Sequence, residues 1–358
     1  MNIPLLARHT FRRLLPLVLL AGAVTAAPAS KKASRSKEAA PISKTEEAFL
    51  GRWALTIPGG RAGWLEVKQE KGWYDGSILW GGGSVVPLSS VTIADNTLSV
   101  TRTREIERKD ASGKVVRKQQ LTETITAQVE GNTLKLTRVA PLPNGRGFER
   151  GDFTGKRIPA LPPRPDLAKV KFGAPIKLFD GQSLAGWKLN EPDMKSAWVA
   201  ENGVLHNRPP VTPPGQPHVR TANLRTDRDF EDFNLTLEVN VPAKSNSGVY
   251  LRGLYEVQVM DSYGKPLDSH NMGALYSRIT PTTSAEKRAG EWQKLEMTLV
   301  DRHATIVLNG TKIIDNQPLL GCTGGALWSD ESRPGPIYLQ GDHGPVSYRN
   351  IVLKPVVR

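Results

Sequence analysis

The stretch NSGVYLRGLYEVQVMDSYG, residues 246–264, decides the reading of this chain. Val, Tyr and Leu dominate it and turn residues flank it, so it reads as sheet. If its pleat is unbroken, Tyr250, Arg252, Glu256 and Gln258 share one face, because side chains alternate with period two. A guanidinium, a carboxylate and an amide then stand in a row beside an aromatic ring. A solvated sheet face accounts for such a row without any function. A face that reads sugar hydroxyls accounts for it with one.

The surrounding segments are also strand-like. From 170 onward, AWVAENGVLHN, FNLTLEVNV, SGVYLRG, YEVQVMD, GALYSRI, EWQKLEMTLVDRHATIVLNGTKII, GPIYLQ and VSYRNIVLKPV follow one another between NG and DR turns. About 190 residues of antiparallel strands, with no sustained helical period, predict a two-sheet jelly roll. Segment 46–158 gives a second series of short strands, from RWALTI to NTLKLTRVA, and predicts a small antiparallel barrel or sandwich. Its tryptophans, Trp53, Trp64, Trp73 and Trp80, are read first as barrel core. IPALPPRPDL lies between the two series as a proline-rich linker, 159–169. The fold class is therefore all-β, with two domains expected to fold separately.

The formal charge of +13 resembles a nucleic-acid footprint, but residues 1–45 alone hold eight Lys/Arg against one Glu. No basic face remains elsewhere, so nucleic acid is not an expected partner. Arg8, Arg12 and Arg13 precede the apolar run from Leu14 to Val24, which is followed by small residues. This reads as a secretory signal over 1–29, too short to span a bilayer. A disordered basic tether, 30–45, follows. The expectation is an exported protein, periplasmic or extracellular, without a membrane anchor once the signal is removed. The single cysteine, Cys322, precludes an internal disulfide and reads as a packed structural thiol.

The second domain carries LFDGQSLAGW (178–187), WVAENGVL (198–205), the opening stretch, GALY (273–276), AGEWQKLEMTLVDRHATIVLNG (289–310) and GPIYLQGDHGPVSYRNI (335–351). In this order they resemble the 3-keto-disaccharide hydrolase family, which has a concanavalin-like (laminin-G-like) jelly roll. Gln293 stands where that family usually has Asn. Asp342 interrupts a glutamine–glycine–histidine–glycine pattern. The resemblance implies cleavage of glycosides already oxidised at C3. A C3 ketone acidifies the C2 proton. A base removes it, the C1 aglycone leaves by β-elimination, and water adds afterwards. Such chemistry needs no pair of glycosidase carboxylates at fixed separation.

Glu256 is the first candidate for the base, because a strand is an odd place for a carboxylate on a purely structural face. His343, in the Gly-flanked loop QGDHGP, is a candidate acid or base. Asp261, at the strand end, is a third, with turn capping as its structural alternative. Gln258, Gln340, Arg252 and Asn246 are candidate substrate ligands. Lys287 and Trp292 join them, Trp292 as a platform under a pyranose ring or as a core residue.

No HExxH, Cys/His metal spacing, phosphate loop or GxSxG is present. The run WGGGS precedes a strand and is not a nucleotide loop. The sequence requires no cofactor. Scattered oxygens leave room only for a hard divalent ion such as calcium. The expected partner is an oligosaccharide or 3-keto-glycoside. Two other readings stand beside the enzyme: a non-catalytic carbohydrate-binding jelly roll of the cell envelope, and a structural envelope protein.

Overall fold

The computed structural model describes residues 42–211, 213 and 219–358. The expected signal peptide and nearly all of the tether lie outside those residues. Ser43 caps a one-turn helix, α1 (Lys44–Glu47), by a reciprocal bond pair with Glu46. The segment expected to be disordered through 45 is thus ordered at its end.

The first sheet comprises β1 (Gly51–Ile57), β2 (Arg61–Gln69), β3 (Tyr74–Trp80), β4 (Val86–Pro87), β5 (Ser90–Ala94), β6 (Thr97–Lys109), β7 (Val115–Glu130), β8 (Thr133–Pro141) and β9 (Phe148–Arg157). Their order is β4-β3-β2-β1-β9-β8-β7-β6-β5. The two end strands are consecutive in sequence, so the sheet curls until its ends meet. At that seam the Leu88 N–H donates to Gly76 O and the Ser89 N–H to Thr101 O. Phe49, Trp53, Leu55, Leu65, Ile78, Leu98, Ile125 and Leu134 fill the interior.

Strands β1–β3 are apolar on both faces, and the second face has a purpose. Ala54, Ala62, Trp64 and Leu79 point outward and join the hydrophobic core of the second domain. Trp53 and Trp64 are buried as expected, on opposite faces, while Trp80 is half-buried against Phe153. Trp73 departs from the core expectation. It stands in the β2–β3 turn, 60% exposed.

The second domain comprises β10 (Lys171–Phe172), β11 (Ile176–Lys177), β12 (Trp187–Leu189), β13 (Trp198–Glu201), β14 (Val204–Asn207), β15 (Leu224–Thr226), β16 (Phe233–Asn240), β17 (Asn246–Leu251), β18 (Tyr255–Met260), β19 (Trp292–Val300), β20 (His303–Leu308), β21 (Thr311–Pro318), β22 (Tyr338–Leu339) and β23 (Val346–Val357). One sheet runs β13-β14-β23-β16-β19-β20-β21, with β10 and β11 also on β23. The other runs β12-β15-β22-β17-β18. Val249, Leu251, Val257, Val259 and Leu339 of the five-stranded sheet belong to one core with Leu235, Leu237, Leu295, Met297 and Ile306. Each such fully buried side chain contributes about 1.5–3 kcal/mol. This is the jelly-roll sandwich expected.

Two strand readings change. Residues 246–264 form a hairpin, not one strand. Arg252 and Gly253, both left-handed at φ 58 and 64, turn β17 back into β18. GALYSRI forms no strand. Left-handed Gly273 and Ser277 break it, leaving isolated bridges from Leu275 to Val257 and Ile279.

Residues 41–358 form one compact unit. Arg302 Nη2 donates to Pro159 O at 3.0 Å and Ala160 O at 2.6 Å, tying the linker down, and Ser329 Oγ donates to Leu55 O at 2.8 Å. A fragment starting at Val170 lacks the four outward apolar residues of the barrel. It is expected to melt below the full chain and to bind a hydrophobic dye that the full chain excludes. An unchanged Tm and no dye binding would show that the junction adds nothing to the second domain.

Candidate active site

The outer face of the five-stranded sheet forms one wall of a cleft of about 500 Å³. Barrel residues 60–62 and 81–83 form another. That volume falls within the roughly 300–1,000 Å³ usual for ligand sites.

Strand register builds the floor. Tyr338, Tyr250 and Glu256 are direct cross-strand neighbours across β22, β17 and β18. All three face away from the core, because Val249, Val257 and Leu339 face into it. The two tyrosine rings pack with centroids 4.5 Å apart. Glu256 is 4% exposed, not solvated as a surface carboxylate would be. It lies over Gly248, where a Cβ would come within 2.8 Å of Glu256 Cγ, so only glycine leaves it room. Burial pushes the Glu256 carboxyl up to about 8. The Tyr250 hydroxyl opposes that shift and the charge of Asp342 adds to it.

The Tyr250 hydroxyl lies 2.9 Å from Glu256 Oε2 and 2.8 Å from Gly324 O. It has one proton for two acceptors. With Glu256 protonated, the carboxyl donates to Tyr250 and Tyr250 donates to Gly324, so all are satisfied. Ionised, Glu256 accepts the hydrogen bond of the Tyr250 hydroxyl and Gly324 O loses its donor. The geometry and the raised pKa agree on a carboxyl that holds its proton at neutral pH.

At one end of the cleft Asp342 accepts from Arg220 and contacts His343 Nδ1 at 2.7 Å. Burial alone would raise the Asp342 carboxyl, but His343 and Arg220 hold it below the usual range. With Nδ1 engaged, His343 keeps Nε2 for a proton transfer. Glu191 accepts from Asn190 Nδ2 at 2.7 Å and from the Asn223 N–H at 2.9 Å. Asn223 Oδ1 in turn accepts from the Gly341 N–H at 2.7 Å. Among the described residues, Asn246 Oδ1 and Gln340 Oε1 are buried without a donor. Buried acceptors without donors cost about 1–3 kcal/mol each.

The barrel reaches the same floor. A Cβ on Gly324 would collide with Gly83 O, and the Gly325 N–H donates to Gly81 O at 3.2 Å. A Cβ on Gly325 would lie 2.6 Å from Tyr250 Oη. Glycines on both sides let the barrel loop come within one residue of the tyrosine that holds Glu256.

Of the residues expected from sequence, Glu256, His343, Gln340 and Asn246 line the cleft together. Five others lie elsewhere. Gln258 is on the Glu256 side of β18 but buried. Its Oε1 accepts from the Val259 N–H, and its backbone bonds residues 273 and 274. Arg252, moved off the row by the hairpin turn, donates to Glu331 O and Arg333 O. Asp261 accepts from the Lys244 N–H, which is the capping alternative. Lys287 donates to Trp292 O, and Trp292 opens β19 in the other sheet with the Arg349 guanidinium 4.0 Å above its ring. Glu191, Asn223, Arg220, Tyr338, Tyr276 and the barrel loops were not singled out from sequence. They meet only through the fold, and no local spacing connects them.

Among the described residues no cluster of three or more His, Cys, Asp or Glu could hold a metal ion. The cleft carboxylates Asp342 and Glu191 already have protein partners. Cys322 is fully buried and its thiol is pushed up to about 12, as suits a packed structural residue. No helix among the described residues is long and apolar enough to cross a membrane.

The chain belongs to the family of 3-keto-alpha-glucoside-1,2-lyase-like domains, whose model matches residues 174–354. A β-sandwich of this family with a polar cleft and a buried carboxyl on its floor belongs to a carbohydrate-active class of protein. Among solved structures it is similar to a proposed glycosyl hydrolase of Parabacteroides distasonis at 26% identity. That match covers 56% of this chain and 94% of that one, with a TM-score of 0.41. A carbohydrate-binding module of Bacillus subtilis is similar at 10% identity over 47% of this chain and 95% of that one, with a TM-score of 0.31. Both TM-scores are too low for either likeness to decide a function. No curated protein matches the sequence. The barrel lies outside the matched residues.

Proposed function

We propose that the protein cleaves 3-keto-glycosides, with Glu256 as the base that takes the C2 proton. The observation that carries the reading is the Glu256 carboxyl, buried on the cleft floor against Tyr250 and Gly248, in a family of 3-keto-glucoside lyase-like domains. Glu256 accepts the C2 proton, and the electron pair moves onto the C3 carbonyl as an enolate. The enolate expels the C1 oxygen, leaving a C1–C2 double bond conjugated to the ketone. His343 gives its proton to the departing oxygen. Water then adds to C1 and a proton returns to C2, which completes net hydrolysis. Gln340 and Asn246, which line the cleft, bind the sugar's hydroxyls. The amino-terminal segment makes export part of the same proposal.

A base must be ionised to act. The kcat/KM for a 3-keto-glucoside is therefore expected to rise with pH toward about 8, the range to which burial raises Glu256. A profile flat from pH 6 to 9 would remove Glu256 as the base. Tight binding without turnover at any pH would favour the non-catalytic carbohydrate-binding reading.

A further inference from the structure

Arg61 is the cleft residue whose charge the fold leaves unanswered. It opens β2 after the tight turn 58–60 and is exposed at the cleft. Among the described residues its side chain makes no ion pair or hydrogen bond. Its guanidinium lies beside Gly81, with Nη1 3.5 Å from where a Cβ on Gly81 would sit. Within the Gly81–Gly83 loop φ is positive at Gly81 and Gly83 and not at Gly82. Neither Gly82 nor Gly83 donates its N–H to another described group.

The opposing charges in the cleft are already answered. Arg220 and His343 hold Asp342, and amides hold Glu191. The barrel wall is therefore the cationic side of the cleft. It also lies outside the residues that define the family.

We propose that Arg61 and the Gly81–Gly83 loop bind an anionic oxygen group, a carboxylate or a phosphate, carried by the substrate outside its oxidised ring. The barrel thus selects acidic 3-keto-glycosides. This rests on the reaction proposed above for the same cleft. A charge-assisted bond to a guanidinium is about twice as strong as a neutral one, so the preference is expected to be about tenfold or more. Three 3-keto-glucosides test it: a neutral phenyl aglycone, its para-carboxylate and its para-phosphate.

For the wild type, kcat/KM is expected to be at least about tenfold higher for one or both anionic substrates than for the neutral one, and to fall with added salt. The arms separate carboxylate from phosphate. In R61Q that preference disappears while the neutral substrate keeps its rate within about threefold. Arg61 is exposed, so R61Q should keep the wild-type Tm. Equal kcat/KM for charged and neutral substrates in the wild type, or an R61Q variant that keeps the preference, would overturn the proposal. If no substrate turns over, the reaction reading fails separately. Calorimetric binding of the unoxidised glucosides then decides. Tighter binding of the anionic forms that R61Q abolishes upholds the anion site, and equal affinities overturn it.

Discussion

Glu256→Gln is expected to lower turnover of a 3-keto-glucoside at least about a hundredfold, because a positioned base contributes roughly 10²–10⁴ to rate. Substrate affinity should change little, since glutamine keeps the shape of the side chain and its place over Gly248. Stability gives a second readout whose sign follows from the pKa. The folded carboxyl is pushed up to about 8, above its ordinary value of 4.5, so the folded state holds the proton more tightly. The carboxyl costs nothing below about 4.5. Stability falls as pH rises toward 8, and the full penalty is present above it. Glutamine carries no charge and removes that slope. The variant should therefore melt near wild type at pH 5 and above it at pH 9. Thermal melts at both pH values, with single-turnover rates, check both outcomes. Unchanged turnover would leave Glu256 a structural group and move the search for the base to His343.

Glu331→Ala is expected to cost about 3–5 kcal/mol, the usual result of removing one partner from a buried ion pair. Glu331 is 3% exposed. Its Oε2 accepts from Tyr255 Oη at 3.2 Å and pairs with Arg302 Nη1 at 3.3 Å. Burial raises the Glu331 carboxyl, and Arg302 and Arg278 oppose that shift. Without it the Arg302 guanidinium, which also clamps the linker at Pro159 and Ala160, keeps a buried charge with no carboxylate beside it. Chemical denaturation measures the loss. Glu331 is not among the cleft residues, so activity per folded molecule should persist. A change within about 0.5 kcal/mol would mean that the pair only offsets its own desolvation.

Period-two alternation in sequence was enough for the sandwich, since core-facing Val249, Val257 and Leu339 and cleft-facing Tyr250, Glu256 and Tyr338 differ by one position. The Tyr250–Glu256 pairing survives even though one strand became two. Across a hairpin, opposite residues share a face just as residues two apart do along a strand. Arg252 was misplaced for the same reason. It occupies the left-handed turn, where alternation stops. The doubly apolar strands β1–β3 carried a signal that strict alternation does not explain, and its cause is the second domain covering the barrel's outer face. Glu256 as a buried carboxyl was harder to read. Nothing local shows that loop 324–325 and the barrel glycines would close over it. Glu191, Asn223 and Arg220 were illegible because their partners lie up to 122 residues away in sequence.

The most direct measurement follows the C2 proton itself. A 3-keto-glucoside deuterated at C2 would be compared with its protiated form, with aglycone release and C2 label both followed by NMR. Proton abstraction by Glu256 predicts that every released aglycone is accompanied by loss of the C2 deuterium to water, with slower release from the deuterated substrate and neither event in Glu256→Gln. Aglycone release with the C2 deuterium retained would contradict elimination and identify cleavage at C1 without an enolate.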